Sequence, residues 1–292
     1  MSWSRFLLRV AMLLVGLVGL LTAPDVVGVV LTAAADKPDS AARDKHGFWI
    51  HHVQSELQAG PTQVRVLLPS QMRQGKQYRV VYVLPVEAGT ENRYGDGLLE
   101  VQQQRLHDRY DVIFVSPTFA HLPWYADHAT RADLQQEAYF LKVVMPLVRS
   151  RYPVSEDADD HRLLGFSKSG WGAWSFVLRH PAQFGGAAAW DAPLMMSEMG
   201  KYGTPPIFGS QTNFQAYRLT ELLQRDFPQH MERPRLVLTG YGNFRTHHQE
   251  MHALLKQLQV PHHYRDGPSR AHTWHSGWVS EAVGLLLEEQ AD

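Results

Sequence analysis

Residues 165–170 read Gly165-Phe166-Ser167-Lys168-Ser169-Gly170. They are entered from a short expected strand, 161–165, and lead into an expected helix, 170–180. A serine set on so sharp a strand-to-helix turn has a strained backbone, so the residues two places to either side must be small. For Ser167 those are Gly165 and Ser169, and both suit. For Ser169 they would be Ser167 and bulky Trp171, which makes Ser169 the poorer candidate. Ser169 itself stands where such turns usually end in glycine. Gly170 and Gly172 then let the helix close onto the sheet. Ser167 is therefore the expected nucleophile, and a serine that only caps a helix is the competing reading.

Working outward, the chain reads as strands followed by alternating strands and helices. Residues 48–57 and 62–68 look extended, separated by the turn signal Gly60-Pro61. The β-branched runs 78–84 and 111–116 have buried-strand character, with a helix expected over 97–109 between them. Ala138, Leu141, Val144 or Met145, and Val148 are spaced for one face of a helix over 134–149. Strands are expected at 186–190, 236–239 and 262–265, with helices over 246–258 and 279–289. Such alternation implies crossover connections and a mostly parallel sheet flanked by helices, an α/β fold. The stretch 192–234 scatters Gly and Pro and reads as an irregular insertion, of a length that usually covers a site.

A serine hydroxyl is a weak nucleophile until a base takes its proton, and histidine is the usual base. In strand-elbow-helix enzymes the histidine comes last in the chain. Ala271-His272-Thr273-Trp274-His275 follows the last strand and precedes the last helix, so His272 is the candidate and His275 its rival. His248 and His252 share a helix face and, with His247, invite a metal reading. The run His-Gln-Glu-Met-His lacks a glutamate directly after the first histidine, so surface histidines and no metal are expected. Trp124, Trp171 and Trp274 fall at strand ends or in the loops beside them, where ligands bind in open α/β sheets. They are candidates for contact with a bulky, partly apolar substrate, against the alternative of packing at the rim of the core.

The 292 residues carry 28 Lys and Arg against 29 Asp and Glu, a formal charge of -1 that argues for no nucleic-acid partner. The sequence has no cysteine, which excludes disulfides and thiol chemistry. At the start, Arg5 and Arg9 precede an apolar run, and Ala33-Ala34-Ala35 offers small residues before Asp36. These are the parts of a secretory signal peptide over 1–35, or of an N-terminal anchor if it stays uncleaved, the one case that would bring a membrane in. A polar tether over 36–45 and a catalytic domain over 46–292 are expected to follow, in a secreted or periplasmic protein.

With these residues in view, the chain resembles the esterase D-like branch of the α/β-hydrolases, which includes feruloyl esterases, acetyl xylan esterases and the mycolyltransferase antigens. The resemblance covers roughly 48–288. It runs through Ser55-Glu56-Leu57, Gly60-Pro61, Arg65-Val66-Leu67-Leu68-Pro69 and Tyr82-Val83-Leu84, and His272-Thr273-Trp274 is similar to the branch's His-x-Trp. Where relatives carry His-Gly or Asp-Gly in the oxyanion loop, this chain has Pro85-Val86-Glu87. The resemblance implies an α/β-hydrolase fold and an oxyanion held by backbone N–H groups of Lys168 and of Glu87, with Val86 next. In that branch the acid usually follows the strand at 236–239, but here that strand leads into Gly240-Tyr241-Gly242-Asn243, with no carboxylate. Asp191, directly after the strand at 186–190, stands on the same sheet edge as Ser167 and is the expected acid; Asn243 and Asp266 are the alternatives. The implied activity is hydrolysis of a carboxylic ester, on a small molecule or a polysaccharide, through an acyl-enzyme and without a cofactor. A peptidase or acyltransferase on the same scaffold, or a non-catalytic binding relative, are the rivals.

Overall fold

Alternating side chains build both cores of the molecule at once. The computed structural model describes residues 41–225 and 234–287. Among them, nine strands form one sheet: β1 (Ala42–Arg43), β2 (Trp49–Val53), β3 (Thr62–Leu67), β4 (Val80–Val83), β5 (Ile113–Pro117), β6 (His161–Phe166), β7 (Gly186–Trp190), β8 (Leu236–Tyr241) and β9 (His262–Ser269). Their order is β1-β2-β3-β5-β4-β6-β7-β8-β9. The β1, β2, β3 and β5 neighbours pair antiparallel, and every pair from β5 to β9 is parallel. Successive strand residues point to opposite faces. Val80 and Tyr82 of β4 therefore enter one core, and Val81 and Val83 the other. In β7, Ala187 and Ala189 face the first core while Ala188 and Trp190 face the second.

The helices are α1 (Gly97–Gln103), α2 (Leu106–Arg109), α3 (Gln136–Tyr139), α4 (Met145–Arg151), α5 (Ser167–Arg179), α6 (Pro205–Phe208), α7 (Gln211–Tyr217), α8 (Leu219–Arg225), α9 (Arg245–Gln257) and α10 (Val279–Leu287). Helices α3 to α9 cover the first face through residues such as Phe140, Trp174, Phe214, Leu222 and Met251. Leu98 and Val101 of α1, Leu106 of α2, and Val283 and Leu286 of α10 cover the second. A parallel sheet buried on both faces accounts for the unbroken apolar runs of β4 and β5.

Four expectations need correction. The helix over 97–109 is two helices, because Arg105 adopts a left-handed φ of 54° between them. The helix expected over 134–149 starts at Gln136 and runs to Arg151, passing through a π-helical turn at Phe140–Val144 that apolar spacing alone does not reveal. The stretch 192–234 is not irregular throughout, since it contains α6, α7 and α8. Those helices are too short to show periodicity, and the prolines that open α6, Pro205-Pro206, and the Gly209 that ends it look like loop signals in sequence. The end of the expected tether is ordered: Ala42 and Arg43 pair with Ile50 and Trp49, and Asp44 closes the turn by accepting the His46 and Phe48 N–H groups. The segment 1–35 lies outside the described residues.

Candidate active site

The carboxyl edge of the parallel strands gathers the candidate residues. Phe166 of β6 and Trp190 of β7 are registered partners, so the next residues, Ser167 and Asp191, leave the sheet side by side. Both have left-handed backbones, with φ of 52° at Ser167 and 42° at Asp191. Such conformations cost on the order of 1–3 kcal/mol each in residues other than glycine and persist where the surroundings over-determine them. The turn at Ser167 is held from beneath. A Cβ at Gly165 would lie 2.3 Å from the Ser169 carbonyl oxygen, so only glycine fits. Ser169 is fully buried; its hydroxyl accepts the Phe166 N–H at 3.0 Å and donates to the Phe166 carbonyl at 2.9 Å. That arrangement spends Ser169 on the turn and leaves Ser167 facing a cleft of about 350 Å³, which Lys168, Trp124, Phe244 and His272 also line.

His272 stands between this cleft and Asp191. Its Nδ1–H donates to Asp191 Oδ2 at 2.5 Å, which turns Nε2 away from the carboxylate. Asp191 is fully buried and also accepts the backbone N–H groups of Asn243 at 2.8 Å and Phe244 at 2.6 Å. Burial by itself raises the carboxyl's pKa. The His272 bond together with the Gly242, Phe244 and Asn243 amides outweighs burial and holds it below the usual carboxylate range. The imidazole is boxed by rings, with Phe166 at 5.0 Å, Tyr94 at 5.7 Å and Phe244 at 5.9 Å between centroids.

The alternatives lie elsewhere or do other work. Asn243 lines the cleft, but its tie to Asp191 is its backbone N–H. Asp266 is bound to Arg245, at 2.8 and 3.0 Å. His275 bonds Glu100 through Nδ1 at 2.8 Å and accepts the Asp96 N–H through Nε2 at 3.3 Å, so both ring nitrogens are engaged away from Ser167. Of the three tryptophans expected to touch substrate, Trp124 lines the cleft, with its Nε1–H donated to the Tyr202 carbonyl at 3.1 Å. Trp171 and Trp274 do not line it. Trp171 is buried against Trp124, Phe208 and Phe214, and Trp274 is buried between Phe166 and Trp278, because both project into the cores. Glu87 is buried outside the cleft lining, its carboxylate accepting the Tyr94 N–H at 3.1 Å and facing Arg93 at 3.4 Å.

Two supports were not legible in sequence. His248, expected on the surface, is 2% exposed, and its Nε2 accepts the Ala192 N–H at 2.8 Å. Burial drives its pKa down to about 4, so the ring is a neutral acceptor. His247 accepts the Met195 N–H at 3.0 Å in the same way. The first turn of α9 thus grips the backbone that follows Asp191. No local pattern distinguishes these histidines from solvent-facing ones. The second support is the Lys168 side chain, whose ammonium donates to the Val86 carbonyl at 2.9 Å.

The pattern of the family described as putative esterase matches residues 55–231, more than half of the chain. No curated protein sequence matches it. Solved structures share the fold at low identity. A ferulic acid esterase superposes with a TM-score of 0.62 at 19% identity, covering 82% of this chain and 96% of its own. FphF, a fluorophosphonate-binding serine hydrolase of Staphylococcus aureus, gives 0.65 at 17%, covering 83% and 98%. MPT51 of Mycobacterium tuberculosis gives 0.58 at 15%, covering 82% and 98%.

Proposed function

This chain belongs to the putative esterase family, and on that premise we propose that Ser167, His272 and Asp191 are the nucleophile, base and acid of an ester hydrolase working through an acyl-enzyme. The observation that carries the reading is the 2.5 Å bond from His272 to buried Asp191, with His272 and Ser167 lining one cleft. In this scheme Ser167 Oγ attacks the ester carbonyl as His272 Nε2 takes its proton. The tetrahedral oxyanion is held by the backbone N–H groups of Lys168 and Glu87, where charge appears only as the transition state forms. His272 then gives the proton to the leaving alcohol, and water, activated by the same imidazole, releases the acid. Asp191 holds the ring in the required tautomer and stabilises the imidazolium. Trp124, Tyr94, Tyr202 and Phe244 around the cleft support a bulky, partly apolar ester, free or attached to a polysaccharide. The basic start, apolar run and small-residue site in 1–35 support export to the periplasm or medium.

The test is labelling with a fluorophosphonate probe. Ser167→Ala is expected to abolish labelling and ester turnover, while Ser169→Ala keeps labelling and loses stability instead, having removed two buried hydrogen bonds. Labelling that survives in Ser167→Ala and disappears in Ser169→Ala would reverse the assignment. A panel of acetyl, feruloyl and longer acyl esters, run beside peptide amides and acceptor alcohols, then separates hydrolase from peptidase and acyltransferase.

A further inference from the structure

The loop after β4 lacks the small, flexible pair that the resemblance leads one to expect, yet each of its three residues is tied down. The Tyr125 hydroxyl donates to the Pro85 carbonyl. The Lys168 ammonium donates to the Val86 carbonyl at 2.9 Å, and the Glu87 carboxylate accepts the Tyr94 N–H at 3.1 Å. Val86 and Glu87 are 2% and 3% exposed, so these ties form where water competes little. The Val86–Glu87 peptide is trans, and in a planar trans peptide the C=O and N–H point in opposite directions. Whatever fixes the Val86 carbonyl therefore fixes the direction of the Glu87 N–H. A cation on that carbonyl makes a charge-assisted bond and polarises the amide, which strengthens the N–H as a donor.

We propose that Lys168 is a positioning residue that completes the oxyanion hole: its backbone supplies one donor, and its side chain, by holding the Val86 carbonyl, aims the second, the Glu87 N–H. This rests on the reading of Ser167 as nucleophile. One residue thus links the elbow to the oxyanion loop, doing by a side-chain tether what a small flexible pair would do by its backbone. Burial pulls the Lys168 ammonium down to about 8, with Glu87 opposing that effect and Arg93 adding to it. The other ionisable groups around it are Tyr94, Tyr202 and His272 at the cleft and Tyr125 under Pro85, the last held well above its usual range by burial. The charged, tethering form of Lys168 prevails below about pH 8 and is lost above it.

The experiment compares steady-state kinetics and pH profiles of the full chain with those of Lys168→Met and Lys168→Arg on one chromogenic ester. Removing a whole oxyanion donor costs about 10²–10³ in kcat, so a donor left present but unaimed is expected to cost about 10- to 100-fold in Lys168→Met, with KM changed by less than about threefold. The fall in kcat/KM as pH rises through about 8 should vanish in Lys168→Met. In Lys168→Arg, whose guanidinium stays charged, part of the kcat loss should be restored and the fall should move to higher pH. Lys168→Met with unchanged kcat and an unchanged alkaline limb overturns the proposal, while loss of activity in Ser167→Ala shows the underlying reading intact. Should Lys168→Met not fold, an alkaline limb that stays in place in Lys168→Arg overturns it equally. An active Ser167→Ala sinks the reading on which it rests.

Discussion

Asp191 stays ionised although no part of it reaches solvent, because the backbone amides of residues 242–244 and an imidazole N–H converge on its two oxygens. An isolated carboxylate so placed would take up a proton instead. Asp191→Asn is expected to lower kcat/KM by about 10⁴-fold, as an amide can leave the ring in the wrong tautomer and offers no charge to the imidazolium. Asn243→Ala keeps the backbone N–H that binds Asp191, and Asp266→Asn alters only surface contacts, the ion pair with half-exposed Arg245 and a hydrogen bond from Gln249. Both should stay within about threefold of the parent, since exposed pairs contribute little. Ester assays on the three variants decide it, and near-full activity of Asp191→Asn at unchanged Tm would remove Asp191 from the site. The depressed pKa sets the sign of its pH dependence: its contribution is complete above the ordinary carboxylate value of 3.8 and is lost as pH falls through the lower folded value.

Helix α9 works on the site through its first turn. His247 and His248 accept N–H groups from Met195 and Ala192 and so hold the backbone leaving Asp191, whose own φ is strained. A protonated His248 cannot accept the Ala192 N–H. Its folded pKa of about 4 lies below the usual 6.5, so its contribution to stability is present above pH 6.5 and is lost as pH falls toward 4. The size of that loss is on the order of 3 kcal/mol. His248→Gln, which removes the titration, should flatten the decline of Tm between pH 6.5 and 4 relative to the parent. Parallel declines in the two proteins would assign the acid sensitivity to other buried histidines such as His161. Helix α5 shows the converse economy of space: a Cβ at Gly172 would lie 2.1 Å from the Tyr125 ring, whose hydroxyl holds Pro85. Glycine at that position lets the elbow helix sit close enough for the oxyanion loop to be anchored behind it.

At the scale of the whole chain, a protein without cysteines has no disulfide to hold it together, and the described sheet is buried on both faces by two cores. Protein recovered from the native host is expected to begin at or near Asp36, and an intact Met1 in the soluble cytoplasmic fraction would overturn the proposed export. Much of the fold was legible because it follows from local periodicity and punctuation. The runs at 78–84 and 186–190, and the Gly165-to-Gly170 elbow, are short-range patterns that only one backbone conformation satisfies. Ser167, and the position of Asp191 at a strand end, could be read in the same way. The break at Arg105 and the helices between 205 and 225 could not, since elements of four to seven residues are formed by tertiary packing rather than by their own propensity. Nor could the fates of Trp171 and Trp274, because a strand-end tryptophan reads alike whether it turns into a core or toward a cleft. The sequence by itself determined that a strand-to-helix elbow carries Ser167, that Asp191 ends the 186–190 strand, and that His272 follows the last strand. Only the tertiary structure decided which carboxylate meets His272, which histidine is buried as a neutral acceptor, and that the Lys168 side chain reaches Val86. Those contacts join residues 56 to 82 positions apart, and their directions depend on strand register and twist, which no local pattern encodes.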